Sequence, residues 1–407
     1  MRPLLSLIAV AIASRPLPGV SEVAASHIIN AADYGLRELQ ANEDATPAFR
    51  RALEACRQIG ADSLAIPAGT WHLYPDHAFE KNLAVANNNP GVKRVVFLLD
   101  GLNEFSLVGE NARFVCHGSM IPVSADEATN LTLKGFSIDW QRPFNFQGRV
   151  VATHPDKNAF DLRVLDEVVY ELRGQRLIFR EKPSPTPNAW KEWAPPTTER
   201  LAWEHNLQWN MWFDGETRRP IPGEHQWALE PDPRVEEIGA GVIRIVDAVR
   251  IMPKVGWVLA VKGMMTPNRT SPAIRIARSK NLLVEDVTIH HAGGMGIIVQ
   301  RTNGATLRNA HVTLPADSGR LVTTTADATH FNGCRGEILL ENCTFEKMLD
   351  DYPVLLTEDL MVEEGLVAIL IYRDIQQTLG KRVDVHPLKK MWNMNQSQIP
   401  NAQEELR

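Results

Sequence analysis

Four short segments share one pattern, and this repeat constrains the fold more than any other feature. Each starts with an aliphatic residue, carries a small or polar turn former two positions later, and ends with an aliphatic or aromatic residue at the sixth position. The copies are residues 133–138, 284–289, 307–312 and 340–345, with a related segment at 107–110. Spacings of 23 and 33 residues between the later copies fit one coil of a solenoid with variable loops.

This repeat predicts an all-β fold, a right-handed parallel β-helix in which inward aliphatic side chains of successive coils stack on one another. The turn formers Gly135, Asp286, Asn309 and Asn342 would take the strained bend between strands, where Gly and Asn are tolerated best. A set of unrelated short strands in a sandwich is the alternative.

The segment 26–140 is interpreted as an N-terminal cap and the first coils. Thr46 and Pro47 open an amphipathic pattern that runs to Gly60, which predicts a helix with Thr46 as N-cap. A strand at 63–66 and a Pro-Gly turn follow. Such a helix would cover the open end of a stack of coils.

A segment of different composition, from about 141 to 260, interrupts the repeat. It holds many prolines and seven of the ten tryptophans, and alternating stretches predict a small inserted antiparallel β domain. Most of these tryptophans are expected in its core, with Trp190, Trp193 and Trp212 as candidates for stacking on a sugar.

Bulk properties exclude several classes of protein. The net charge of −6, without long basic runs, argues against a nucleic-acid partner. Residues 1–25 are interpreted as a signal peptide and leader, with a frayed apolar N-terminus as the alternative, and no later segment resembles a membrane span. We therefore expect a secreted or periplasmic protein. The four scattered cysteines predict buried thiols and no metal site.

Three aspartates beside the repeats are the candidate catalytic residues. Asp327 lies 23 residues before the adjacent pair Asp350 and Asp351, which is about one coil. Glycosidic bond cleavage needs a protonated acid and a second carboxylate, and an inverting enzyme separates them by roughly 6.5–9.5 Å. From the residues alone, solvated turn aspartates explain this pattern equally well.

Residues 286–351 carry a resemblance to a known family, through the motifs at 290–296, 318–320, 325–331 and 341–351. They resemble glycoside hydrolase family 110, exo-acting α-1,3-galactosidases that release terminal galactose with inversion. The resemblance implies a glycan substrate with terminal α-galactose, of blood group B or linear type, and no cofactor. Carried over by position, it implies Asp327 as general acid and Asp350 with Asp351 as base.

The resemblance also nominates residues for substrate binding. Arg320 and His330 flank the proposed acid, and Asp139 and Trp140 end an earlier coil. The histidines His290 and His291 are expected in ordinary strand or turn roles. A homodimer is one assembly that the sequence leaves open.

After Asp351 the sequence departs from the family pattern. We expect the coils of 261–351 to end there and residues 352–407 to form a divergent or truncated tail, partly helical or disordered, with impaired activity as one consequence. Two other functions stay open from the sequence. One is another β-helix carbohydrase, a polygalacturonase-like hydrolase or a polysaccharide lyase, and the other is a non-catalytic glycan-binding protein.

Overall fold

The computed structural model describes most of the chain between residues 27 and 350 and two short segments after it. The described residues are 27–40, 42–165, 170–173, 176–180, 202–205, 207, 209–225, 229, 233–247, 251–262, 269–316, 318–350, 354–356 and 371–373. The proposed leader, Trp190, Trp193, Asp351 and most of the tail therefore lie outside the described residues.

The described chain is built almost entirely of strands. Its α-helix is α1 (Thr46–Ile59), and short 3₁₀ turns occupy Ala31–Tyr34, Leu36–Glu38, Pro75–His77 and Pro155–Lys157. The strands are β1 (Ile28–Asn30), β2 (Ser63–Ile66), β3 (Gly69–Leu73), β4 (Phe79–Leu83), β5 (Gly91–Leu98), β6 (Ser106–Cys116), β7 (Ile121–Asp126), β8 (Thr129–Trp140), β9 (Phe146–His154), β10 (Ala159–Val164), β11 (Tyr170–Arg173), β12 (Arg176–Arg180), β13 (Ala202–His205), β14 (Asn210–Phe213), β15 (Pro220–His225), β16 (Arg234–Gly239), β17 (Val242–Val246), β18 (Val258–Val261), β19 (Ile274–Ala277), β20 (Lys280–Ile289), β21 (Ile297–Gln300), β22 (Asn303–Val312), β23 (Thr329–Asn332), β24 (Arg335–Glu341), β25 (Thr344–Phe345), β26 (Val354–Leu356) and β27 (Ile371–Arg373).

Two mainly parallel sheets carry the repeats. The first has the order β1-β2-β6-β8-β20-β22-β24-β27, with β3 beside β6 and β25 beside β22. The second runs β4-β5-β7-β19-β21-β23-β26, and its one antiparallel pair is β4 with β5. The chain alternates between the two sheets, so each circuit adds a strand to both and the apolar core lies between them. The mostly β, parallel-sheet architecture predicted from the sequence is confirmed.

The repeat aligns in the first sheet as the sequence predicts. Val284 pairs with Leu133 on one side and with Leu307 on the other, and Leu307 pairs with Leu340. All four side chains are buried. The turn formers have left-handed backbones, with φ of 77° at Gly135, 54° at Asp286, 49° at Asn309 and 51° at Asn342. Stacked aliphatics and stacked bends therefore come from the same six residues.

Gly135 is the most demanding of these bends. A Cβ at this position would overlap the carbonyl oxygen of Gly109 in the neighbouring coil, in addition to the strain of its positive φ. We expect Gly135→Ala to lower the free energy of unfolding by about 2–4 kcal/mol, the sum of backbone strain and displacement of a neighbouring strand. Urea unfolding measures this loss.

Gly101→Ala is the matched control, because Gly101 has a similar φ of 68° and nothing lies within 4 Å of an added Cβ. It should cost about 1 kcal/mol, the strain alone. Equal losses for the two variants would show that the close approach of the coils contributes nothing.

The predicted N-terminal helix is present as α1, and its C-cap Gly60 is left-handed at φ 64°. The prediction of Thr46 as N-cap is wrong by one residue. Ala45 occupies the cap, and the Asp44 carboxylate accepts a 2.8 Å hydrogen bond from the Thr46 N–H. At the start of α1, the buried Asp44 carboxylate therefore accepts a backbone hydrogen bond in place of the predicted Thr46 hydroxyl.

Asp44 gives the stability a pH dependence. Burial raises its pKa from 3.8 to about 6, so the folded chain binds this proton more tightly than the unfolded chain. Ionisation therefore costs stability as pH rises from about 4 to 6. Asp44→Asn is always neutral and escapes this cost. We expect its stability relative to the unaltered chain to improve by about 3 kcal/mol between pH 3.5 and 7, as measured by urea unfolding. A difference that is constant with pH would contradict this assignment.

An antiparallel sheet of seven strands, β15-β14-β18-β9-β10-β17-β16, lies between the first two repeats in sequence. A three-stranded sheet, β11-β12-β13, accompanies it. The seven-stranded sheet has its own apolar cluster, around Phe160, Trp212 and Ile245. We call these strands the inserted sheet.

Both parallel sheets continue past residue 351, where the sequence predicts that the coils end. β26 pairs with β23, and β27 pairs with β24. All four cysteines are buried and free, which confirms the prediction of buried thiols. Among the described helices none has the length and apolar character needed to cross a bilayer.

Candidate active site

Asp327 lies in the loop that leads into β23. Its backbone carbonyl accepts a 3.0 Å hydrogen bond from Gly296 in the preceding coil, which anchors the loop. Its side chain is 4% exposed and contacts His330, with 2.7 Å between Oδ2 and Nδ1. His330 is also buried. The two side chains therefore share one proton-carrying hydrogen bond out of contact with bulk water.

Asp350 lies in the next coil, beside the Asp327 loop. The Thr323 N–H donates to the Lys347 carbonyl at 2.9 Å, and the Leu349 N–H donates to the Thr324 carbonyl at 3.0 Å. These bonds align the two loops that carry the acids. The described backbone thus places Asp327 and Asp350 on adjacent coils, as the sequence predicts. Asp351 lies outside the described residues.

Two cations hold the Asp350 carboxylate. Its Oδ2 accepts from Lys262 Nζ at 2.7 Å and from Arg269 Nη2 at 2.6 Å. Arg269 is further fixed by donating to the Asn87 carbonyl at 2.9 Å. Both cationic side chains are almost fully buried, whereas the Asp350 side chain is 19% exposed. Of the two carboxylates, Asp350 is thus the one with the greater access to solvent.

Lys262 is the more buried of the two cations beside Asp350. Burial lowers the pKa of Lys262, and the charges of Asp350 and Asp327 work against this lowering. Its ammonium therefore lies within electrostatic range of both carboxylates. Sequence reasoning missed Lys262 and Arg269. The available signal was a lysine that directly follows an apolar strand, β18, since a lysine in such a position is rarely buried without a carboxylate partner.

A separate hydrogen-bonded group consists of Asp139, Trp140 and Arg320. Asp139 accepts from Arg320 at 2.6 Å and from Arg113 at 3.2 Å, and Arg320 Nη2 also donates to the Trp140 carbonyl at 2.6 Å. These bonds tie the end of β8 to the loop before Asp327.

Trp140 requires a correction as a substrate-binding residue. Its indole is fully buried, donates to the Gly118 carbonyl at 3.0 Å and packs edge-on against Phe144 and His291. Neither face of the ring is accessible to a sugar, because the side chain at this end of β8 points into the core. Asp139 likewise has both carboxylate oxygens engaged, by arginine and by the Trp140 N–H. Sugar contacts by Arg320 and His330 stay predictions.

The histidine pair has the structural roles expected of it. His290 Nδ1 lies 2.8 Å from the Thr313 carbonyl, and His291 Nε2 accepts from the Phe144 N–H at 2.8 Å. Complete burial lowers the pKa of His291 to about 3, so it is neutral and serves as an acceptor.

The prediction that Trp212 stacks on a sugar is wrong. Trp212 is fully buried in the core of the inserted sheet, against Phe160 and Trp257. Trp209 was not proposed, yet its half-buried ring lies 5.0 Å from the Lys262 ammonium. Trp190 and Trp193 lie outside the described residues.

Within the residues that the structure describes, no group of three or more His, Cys, Asp or Glu side chains could hold a metal ion.

The candidate site thus has carboxylates on neighbouring coils and buried cations beside them. It lies in a stack of parallel-sheet coils that is interrupted in the sequence by an antiparallel sheet. Residues 197–259 match the family described as GLAA-B beta-barrel domain I. This match falls within the inserted sheet and its neighbouring segments.

Curated proteins match over a longer stretch. The chain is 32% identical to α-1,3-galactosidase A of Shewanella woodyi over 79% of this chain and 50% of that protein. It is 28% identical to α-1,3-galactosidase B of Bacteroides thetaiotaomicron over 82% and 51%, respectively, and 30% identical to α-1,3-galactosidase B of Parabacteroides distasonis over 78% and 49%. The predicted resemblance to glycoside hydrolase family 110 is confirmed. The chain spans about half the length of the curated relatives it matches.

A solved surface adhesin of Streptococcus pneumoniae also aligns, at 12% identity over 79% of this chain and 63% of that one, with a TM-score of 0.31. A likeness of this extent carries no argument about fold or function.

Proposed function

We propose that this protein is a glycoside hydrolase that removes terminal α-1,3-linked galactose from glycans with inversion. One observation carries the proposal: Asp327 and Asp350 lie on neighbouring coils whose loops are hydrogen-bonded to each other, and Asp350 is paired with the buried Lys262 ammonium. Two carboxylates at one site are the requirement for this chemistry. The names of the curated relatives supply the substrate class.

In this proposal Asp327 protonates the leaving oxygen. Its hydrogen bond to His330 gives it a neighbour that can hold the proton between turnovers. Asp350, paired with two cations and more exposed, acts with Asp351 to take a proton from the attacking water. The water enters between base and sugar, which in inverting enzymes calls for a carboxyl separation of about 6.5–9.5 Å.

The finer architecture is also proposed. The alternating sheets, the parallel register and the stacked left-handed bends support a right-handed parallel β-helix. We propose the cap and first coils at 26–140, an inserted domain at 141–260, and coils bearing the site at 261–351. Residues 1–25 act as a signal for export to the periplasm or the medium, where glycans are accessible.

Galactose release tests the proposal directly. The chain should liberate galactose from α-1,3-galactobiose or from the branched blood group B trisaccharide, and not from a β-1,4-galactoside such as lactose. The ratio of the first two rates decides between linear and branched substrates. No galactose from either α-1,3-linked substrate would overturn the proposal.

A further inference from the structure

We propose that Lys262, the residue that directly follows β18 of the inserted sheet, is a positioning residue of the catalytic site, and that the inserted sheet holds it there. In this role Lys262 holds Asp350 in place for the attacking water. The inference rests on the proposed glycosidase function. It assigns the inserted sheet a part in the chemistry rather than only in glycan binding.

Contacts of Lys262 fix its ammonium tightly. The side chain is 2% exposed, and Nζ lies 2.7 Å from Asp350 Oδ2 and 3.2 Å from the Leu349 carbonyl. Its backbone N–H donates to the Trp209 carbonyl at 3.0 Å, and the Trp209 ring lies 5.0 Å from Nζ. Asp350, the main-chain oxygen before it and an aromatic ring thus surround a single buried cation.

The inserted sheet is packed against the loops that carry the two carboxylates. Phe213, Val258 and Ala260 from the inserted sheet form one buried cluster with Leu321, Val322 and Leu349 from the coils. The Leu321 N–H donates to Gln147 Oε1 at 2.6 Å, and Arg218 donates to the Ser318 carbonyl at 2.8 Å. A cation placed on this sheet is therefore held in register with Asp327 and Asp350.

The charged groups acting on Lys262 are Asp350, Arg269 and Asp327. Removing the ammonium would leave Asp350 held by Arg269 alone, so its carboxylate would be less firmly positioned. Displacement of a reacting group by about 1 Å costs on the order of 100-fold in rate. The loss should fall on kcat, because Lys262 contacts the proposed base Asp350 and is too buried to bind sugar through its own surface.

Lys262→Ala provides the test, with Lys254→Ala as the matched control. Lys254 is an exposed lysine in the loop that precedes β18, and its ammonium lies 5.7 Å from the Trp257 ring. We expect Lys262→Ala to lower kcat for α-1,3-galactobiose about 100-fold with little change in KM. Ethylammonium or propylammonium ions should restore part of this loss by occupying the vacated space. The control should retain full activity and show no response to amines.

Lys262→Arg adds a pH profile, and it decides the question if the alanine variant fails to fold. Burial lowers the pKa of Lys262, so deprotonation should end activity at a pH below that of an ordinary lysine. Arginine stays charged, and the alkaline limb of kcat should move to higher pH.

Three results would count against the proposal. Full activity of Lys262→Ala, or a loss that amines do not restore together with an unchanged alkaline limb in Lys262→Arg, would overturn the role of Lys262 while the unaltered chain still releases galactose. No galactose release by the unaltered chain would overturn the proposed function, and this role with it.

Discussion

Asp327→Asn is expected to lower kcat/KM for α-1,3-galactobiose by about 10²- to 10⁴-fold, because the leaving sugar oxygen loses its proton donor. The size of the loss should depend on the leaving group. With 2,4-dinitrophenyl α-galactoside, whose phenolate leaves without protonation, the variant should stay close to the unaltered chain. Steady-state kinetics with the two substrates measure this difference.

Asp156→Asn is the control, since Asp156 is an exposed residue of a turn far along the chain from the coils that carry the site. It should leave both rates unchanged. Equal losses of Asp327→Asn on both substrates would assign Asp327 to activation of water instead of protonation. No loss on either would remove it from the reaction.

Asp350→Asn is expected to reduce both activity and stability. As part of the base, Asp350 is needed whatever the leaving group, so both substrates should lose a similar factor, again about 10²- to 10⁴-fold. The variant also leaves the Lys262 and Arg269 cations without their counter-charge, and both are almost completely buried. Breaking such a group costs about 3–5 kcal/mol. Urea unfolding and the two-substrate kinetics measure the two effects.

Asp161→Asn separates these effects. Asp161 is a buried carboxylate of the inserted sheet, 2.7 Å from Arg244 Nε and 3.0 Å from His154. Its loss should destabilise the fold, because Arg244 holds the pKa of Asp161 below its usual range, and turnover of the folded fraction should persist. If Asp350→Asn behaved in the same way, with a loss of stability and full turnover, Asp350 would have a structural role alone.

Local patterns in the sequence predicted the parts of the fold that depend on neighbouring residues. The six-residue repeat located stacked strands and left-handed bends, since Gly135, Asp286 and Asn309 must adopt them wherever coils pass so close together. The Thr46–Pro47 signal located α1 to within one residue. The spacing of Asp327 from Asp350 predicted acids on adjacent coils, because one coil returns the chain to the same edge.

Contacts between distant segments were beyond such reasoning. Lys262 meets Asp350 across 88 positions, and Arg269 meets it across 81. Their roles depend on how the inserted sheet packs against the coils, which no repeat records. The same limit explains Trp140 and Trp212, whose aromatic character fits a sugar platform and a core equally well until burial is known.

The most direct measurement of the central claim is the anomeric form of the first galactose released. Proton NMR during the first minutes of hydrolysis of α-1,3-galactobiose separates the two anomers before mutarotation mixes them. If water attacks from the side opposite the leaving group, activated by Asp350 and Asp351 while Asp327 protonates the oxygen, the initial product is β-galactose. Initial α-galactose would require a covalent intermediate and would contradict the assignment of acid and base.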